Sequence, residues 1–132
     1  MIKKIVFVIP AHLASIRLSK KILLNIFGLP MIEHVRRRIL LTNTNFKVYV
    51  ATCDKKIEDI INSYGGNVIN TSRNHTNGTS RVCEAINKID CTHVILVQGD
   101  EPLILPKQIN KFYTRILNDN NNYIWIATSK IN

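Results

Sequence analysis

Short unbroken apolar runs alternate along the chain with stretches whose apolar residues recur every three or four positions. Ile5-Val6-Phe7-Val8-Ile9 is the first run. Apolar side chains on both faces of a strand mark an interior position in a parallel sheet. Pro10 and Ala11 end it. Behind the turn Gly28-Leu29-Pro30, the residues Met31, Ile32, Val35, Ile39 and Leu40 fall on one face of a helix. Residues 47–52 predict a second strand, and Asp54 an N-cap for a helix over 55–64 with Ile57, Ile60 and Ile61 inward. Gly65-Gly66 closes that helix, and Asn67-Val68-Ile69-Asn70 reads as a short third strand. Thr79 or Ser80 can cap a helix beginning near Arg81, with Val82, Ala85, Ile86 and Ile89 as its apolar face. Val94-Ile95-Leu96-Val97 is a further buried run, followed by a helix over about 106–117 and a last strand over 123–128.

The order β-α-β-α-β-α-β-α-β with short connections predicts an α/β fold. The sheet is expected to be doubly wound and mainly parallel, in a single domain over 1–132 without internal repeats or linkers. Both faces of such a sheet need helices. The last strand has nothing after it to cover it. The pattern therefore predicts a chain cut short at its carboxyl end, or one that completes itself by association as a homodimer.

Composition narrows the classes. A chain of 132 residues with 45% hydrophobic residues can bury a core and is not disordered. No apolar run is long enough to span a membrane. Met1-Ile2-Lys3-Lys4 and the apolar run after it superficially resemble a signal peptide, but Pro10 closes the run without a small-residue cleavage site. A cytoplasmic protein is expected. Cys53, Cys83 and Cys91 form no C-x-x-C pair, which argues against zinc and against a disulfide framework. The net charge of +9 is spread along the chain, densest at Arg36-Arg37-Arg38 inside a predicted helix. No interleaving of basic and aromatic residues marks a single-strand-binding surface. A basic nucleic-acid-binding protein therefore rests on charge alone, and a general richness in Lys, Asn and Ile accounts for much of that charge.

Candidate chemistry lies where strands end. Ligands of open α/β sheets bind beyond the carboxyl ends of the strands. The loop after the first strand, residues 12–21, carries His12, Ser15, Arg17, Ser19, Lys20 and Lys21. Such a loop can wrap polyphosphate with backbone N–H groups and cationic side chains, though it matches neither a P-loop nor G-x-G-x-x-G. A solvated basic loop is the alternative. Residues 71–81 are dense in hydrogen-bonding side chains, suited to ribose or base recognition or to a plain surface loop. After Val97 comes Gln98-Gly99-Asp100-Glu101-Pro102. Asp100 beside a glycine at a strand end can hold a hard cation against a phosphate. The alternative is an acidic turn capping the next helix.

Three stretches also match one family pattern in order. They are Ile9-Pro10-Ala11 with Leu13-Ala14-Ser15, Arg17-Leu18 and Lys21; Gly65-Gly66, Thr71-Ser72, His75, Gly78-Thr79 and Arg81; and Val97 to Ile104. Gly28, Pro30-Met31-Ile32 and His34-Val35 continue the first. The pattern resembles the 3-deoxy-manno-octulosonate cytidylyltransferases, or CMP-Kdo synthetases. It covers nearly all of this chain but only the amino-terminal part of the family's domain. The resemblance implies a Rossmann-like nucleotide-diphospho-sugar transferase fold. It also implies a Mg²⁺-dependent reaction for lipopolysaccharide biosynthesis, in which CTP and Kdo or a similar acid sugar give the CMP-sugar and pyrophosphate. It implies that Asp100 holds Mg²⁺ and that Arg17 and Lys21 bind the phosphates. Pro10, Ala11, His12, Ser15, Thr71, Gly78, Thr79 and Gln98 would frame the substrates, with Arg81 supporting the second loop or reaching the ligands. No nucleic acid and no membrane are implied as partners.

The chain departs from the family pattern at particular positions. His12 stands in place of Arg, Ile16 in place of a small hydroxyl residue, Ser19-Lys20 in place of Pro-Gly, Ile22 in place of Pro, and Ser80 in place of Asp. These changes make the first loop less preset and remove a carboxylate beside Arg81. They keep open a second expectation, a nucleotide-binding remnant without turnover. The family's remaining sugar contacts, its second metal-binding Asp and its dimer interface belong to the part this chain does not match.

Overall fold

The protein, described here from a computed structural model, has residues 2–14 and 20–128 placed. Its centre is a four-stranded parallel sheet in the order β5-β4-β1-β6. The strands are β1 (Ile5–Ala11), β4 (Lys47–Thr52), β5 (Asn67–Asn70) and β6 (His93–Leu96), and a two-stranded antiparallel ribbon is formed by β2 (Asn25–Ile26) and β3 (Leu29–Pro30). The helices are α1 (Met31–Thr42), α2 (Lys55–Ser63), α3 (Gly78–Ile86) and α4 (Pro106–Asn118). The α/β, mainly parallel architecture expected from the periodicity is therefore present.

Alternation along β1 divides the core. Phe7 and Ile9 face a cluster with Ile32, Val35 and Ile39 of α1, Ile57 and Ile61 of α2, and Ile109 and Ile116 of α4. Val6 and Val8 face the other way, against Val82 and Ala85 of α3 with Ala51 and Ile69. The larger of these side chains, Val, Ile and Phe, each contribute roughly 1.5–3 kcal/mol when fully buried. β1 needs apolar residues on both faces because helices cover both.

Three differences from the sequence expectations have local causes. Residues 123–128 form no strand, although they are apolar and β-branched. Trp125 alone docks, its ring 6.0 Å from His93 and its Nε1 donating to Asp119, while Tyr123, Ile124 and Ile126 stay exposed. Among the described residues β6 is thus an edge strand, not an interior one. The ribbon β2–β3 follows a 3₁₀ turn at Lys21–Leu23. Its tip, Phe27-Gly28, has φ of +49° and +86°. Both residues lie in the left-handed region, as a two-residue hairpin turn of type I′ demands. Finally, α3 starts earlier than expected, because Asn77 is its cap: the Asn77 side chain accepts from Ser80 N–H at 2.8 Å. No helix among the described residues is long and apolar enough to cross a membrane.

Candidate active site

The chain runs from β1 outward through β4 to β5, then returns to place β6 on the other side of β1. The order reverses between β1 and β6, and a crevice for ligands opens beyond their carboxyl ends at such a point. The ladder bond from Val97 N–H to Val8 O (3.1 Å) is the last between them. The Gln98-Gly99-Asp100 turn then leaves the sheet. Gly99 is buried, and a Cβ there would meet Ile22 at 3.4 Å and Ile9 at 3.6 Å. The turn is thereby packed onto both the end of β1 and the segment after the basic loop. Gln98 and Asp100 are left exposed beside it.

This packing brings two of the expected site residues together. Lys21 Nζ donates to Asp100 Oδ2 at 3.1 Å, with both side chains 44% exposed. As an exposed ion pair it contributes at most about 1 kcal/mol to stability. Its interest is chemical, since a cation and a carboxylate meet beyond the carboxyl ends of β1 and β6. Among the described residues, no group of three or more His, Cys, Asp or Glu could hold a metal ion by itself. Asp100 is nevertheless an accessible hard oxygen donor with a cation already beside it. Mg²⁺ is commonly held by one or two carboxylates together with substrate phosphates, and Asp100 suits a metal shared in that way.

The second loop is built on the neighbouring strands. Thr71 N–H donates to Thr52 O at 3.0 Å, extending the pairing of β4 and β5. Arg81 is nearly completely buried, and its Nη1 donates to Thr71 Oγ1 (2.6 Å) and Ser72 O (3.1 Å). Arg81 therefore acts on the loop from below. Gly78 opens α3 against β1, where a Cβ would sit 3.0 Å from Pro10 Cγ. A glycine lets the two segments approach this closely without displacing the Pro10 ring. Thr79 is exposed next to it.

Of the remaining expected residues, Ala11 is buried at the end of β1 in register with Thr52, and His12 is exposed just after it. Ser15 and Arg17 lie outside the described residues. The structure thus joins Lys21 with Asp100, Pro10 with Gly78, and Thr71 with Arg81.

Two residues not assigned to the site from sequence shape it. Glu84 Oε1 accepts from Ser72 N–H (3.0 Å) and from His75 Nε2 (2.9 Å), and Lys88 lies 3.2 Å from its other oxygen. The Ser72 backbone bond, then the His75 bond, hold the Glu84 carboxyl down at about 2. Ser80 Oγ, where a carboxylate was expected from the family pattern, lies 3.0 Å from His75 Nδ1. The second residue is Asp54. Its carboxylate makes no cap bond to α2 and instead accepts from Leu13 N–H at 2.8 Å. Position gave the available signal for both: Asp54 follows a strand end, as Asp100 does, and Glu84 lies one helical turn after Ser80.

Known proteins resemble this chain in sequence and in fold. Residues 6–132 match the cytidylyltransferase family. The 3-deoxy-manno-octulosonate cytidylyltransferase of Escherichia coli is 42% identical over 106 residues, covering 80% of this chain and 43% of the relative. That of Zea mays is 42% identical over 105 residues, covering 78% of this chain and 35% of the relative. The chain thus spans less than half the length of these curated relatives. The solved structure of a CMP:2-keto-3-deoxy-manno-octonic acid synthetase complexed with CTP superposes with a TM-score of 0.83 at 40% identity, covering 88% of this chain and 48% of that one. A cytidylyltransferase from Leptospira borgpetersenii shares the fold, with a TM-score of 0.78 at 24% identity over 89% of this chain and 51% of that one. On the match of its sequence from the first strand onward, the chain belongs to the cytidylyltransferase family.

Proposed function

We propose that this chain forms the nucleotide-binding part of a 3-deoxy-manno-octulosonate cytidylyltransferase. The reaction joins CTP to Kdo or a similar acid sugar. A sugar hydroxyl attacks the α-phosphorus in line, the bond to the β-phosphate oxygen breaks, and pyrophosphate leaves while the hydroxyl proton passes to solvent or base. The observation that carries the reading is the Lys21–Asp100 pair beyond the carboxyl ends of β1 and β6. Phosphoryl transfer of this kind depends mainly on positioning and on neutralising charge.

In this reading Lys21 binds the triphosphate, together with Arg17 from the loop before it. Asp100 holds Mg²⁺ jointly with phosphate oxygens. When bound, the metal would neutralise developing charge on the leaving pyrophosphate. Gln98 and the backbone of Pro10 and Ala11 would frame the cytidine, and His12 and Ser15 would add substrate contacts. The Thr71–Thr79 loop, held from below by Arg81, closes over the ribose. Gly78 lets that loop approach β1.

The test is pyrophosphate release with CTP, Kdo and Mg²⁺ at high protein concentration, each component omitted in turn. Release that requires all three is expected. CTP binding without release would reduce the reading to a nucleotide-binding module, and a folded protein showing neither would overturn it.

A further inference from the structure

Of the basic loop, the described residues 12–14 and 20–21 form the neck. Lys20 N–H donates to Leu13 O at 3.4 Å. Leu13 packs its side chain on the larger core cluster, and its own N–H donates to Asp54 Oδ2 at 2.8 Å in a half-buried setting. Lys20 sits in the left-handed region with φ of +60°, turning the chain directly into Lys21. Lys21 Nζ then reaches Asp100. A continuous series of contacts thus runs from Asp54 through Leu13, Lys20 and Lys21 to Asp100.

Asp54 is itself rigidly placed. Its N–H donates to Thr52 Oγ1 at 3.1 Å, and Thr52 is fully buried at the end of β4 in register with Ala11. Its carbonyl accepts Glu58 N–H at 3.1 Å in the first turn of α2. An aspartate in this position ordinarily turns its side chain back to cap its own helix. Here the carboxylate spans to the neighbouring strand's loop, so α2 forgoes a side-chain cap. A charged acceptor on a backbone N–H is among the stronger protein hydrogen bonds.

We propose that Asp54 is a positioning residue for the nucleotide site. It fixes the neck of the basic loop and thereby sets where Lys21 stands relative to Asp100. It need not touch the ligand. The inference deepens the function proposed above and rests on it for its affinity readout.

The test compares the parent with Asp54→Ser and Asp54→Asn. Serine can still cap α2 but is too short to reach Leu13, whereas asparagine keeps both the reach and an acceptor oxygen. CTP affinity is measured by calorimetry with Mg²⁺, alongside the thermal midpoint and the hydrogen-exchange rate of the Leu13 amide. Asp54→Ser should weaken CTP binding about tenfold and speed Leu13 exchange by a similar factor, in line with loss of one charged hydrogen bond. Its thermal midpoint should stay near the parent's, and Asp54→Asn should recover most of both losses. Unchanged CTP affinity and unchanged Leu13 exchange in Asp54→Ser would overturn the inference, as would a drop in thermal midpoint with the affinity of the folded protein intact. If the parent itself binds no CTP, the proposed function fails. Leu13 exchange then decides alone whether Asp54 holds the neck.

Discussion

Glu33 offers the sharpest energetic test of how this fold is held. It lies in the first turn of α1 and is completely buried. Its two carboxylate oxygens accept three bonds: Arg36 Nε, Arg36 Nη2 and Arg37 Nε, each at 2.8 Å. Arg36 is itself only 10% exposed at its side chain and donates onward to Tyr64 O at 3.1 Å. Arg37 lies over the Tyr64 ring, 5.3 Å from its centroid. The cluster thus ties α1 to the end of α2. In Glu33→Ala the Arg36 charge stays buried without a counter-ion, a change that costs about 3–5 kcal/mol. At roughly 3–5 °C per kcal/mol for a chain of this size, the thermal midpoint falls by about 10–20 °C. Against the ~5–15 kcal/mol that holds most domains folded, this is a large fraction. The companion variant Glu33→Met/Arg36→Met removes both buried charges. Exposed Arg37 then loses its partner at little cost, so the double variant should lie within about 1 kcal/mol of the parent or above it. Urea unfolding followed by far-ultraviolet circular dichroism measures both, with an unchanged slope as the control. A Glu33→Ala cost under about 1 kcal/mol, the range of solvated pairs, would refute the reasoning.

Two further outcomes follow from single residues. Phe27 is fully exposed at φ +49° in the hairpin tip. Phe27→Asn relieves left-handed strain without losing burial and should raise stability by about 1 kcal/mol, read as a higher urea midpoint. No rise would mean that the ring makes contacts in solution. Glu84 is depressed from 4.5 to about 2, so the stabilisation it gives the second loop is complete above 4.5 and lost as pH falls through about 2. Following the Glu84 carboxyl carbon by NMR should give a midpoint near 2, and a midpoint near 4.5 would contradict the Ser72 and His75 bonds.

The strands that build the site were legible because parallel strands covered on both faces leave unbroken apolar runs. β1 and the run at Val94 are the clearest. Carboxyl ends of such strands are where ligands bind, so Lys21 and Asp100 could be nominated before any contact between them was known. Other features depend on partners distant in sequence. The run at 123–128 has strand composition, but a strand exists only where another pairs with it. The β2–β3 ribbon leaves little signal in the sequence because its strands are two residues long and its turn carries Phe27 where Asn usually signals a hairpin. Local sequence predicts a helix cap at Asp54 because it shows only the helix, and not Leu13 across the sheet. Glu84 carries no local signal, because its partners Ser72 and His75 come from the loop that precedes its helix.

The most direct measurement is calorimetric titration with CTP, with and without Mg²⁺, on the parent and on Asp100→Ala. The Lys21–Asp100 pair is exposed, so its loss should leave the fold intact within about 1 kcal/mol. The account predicts binding that is strengthened by Mg²⁺ in the parent and loses that strengthening in Asp100→Ala. Equal, Mg²⁺-independent binding by both proteins, or no binding by the folded parent, would contradict a metal-assisted nucleotide site at the ends of β1 and β6.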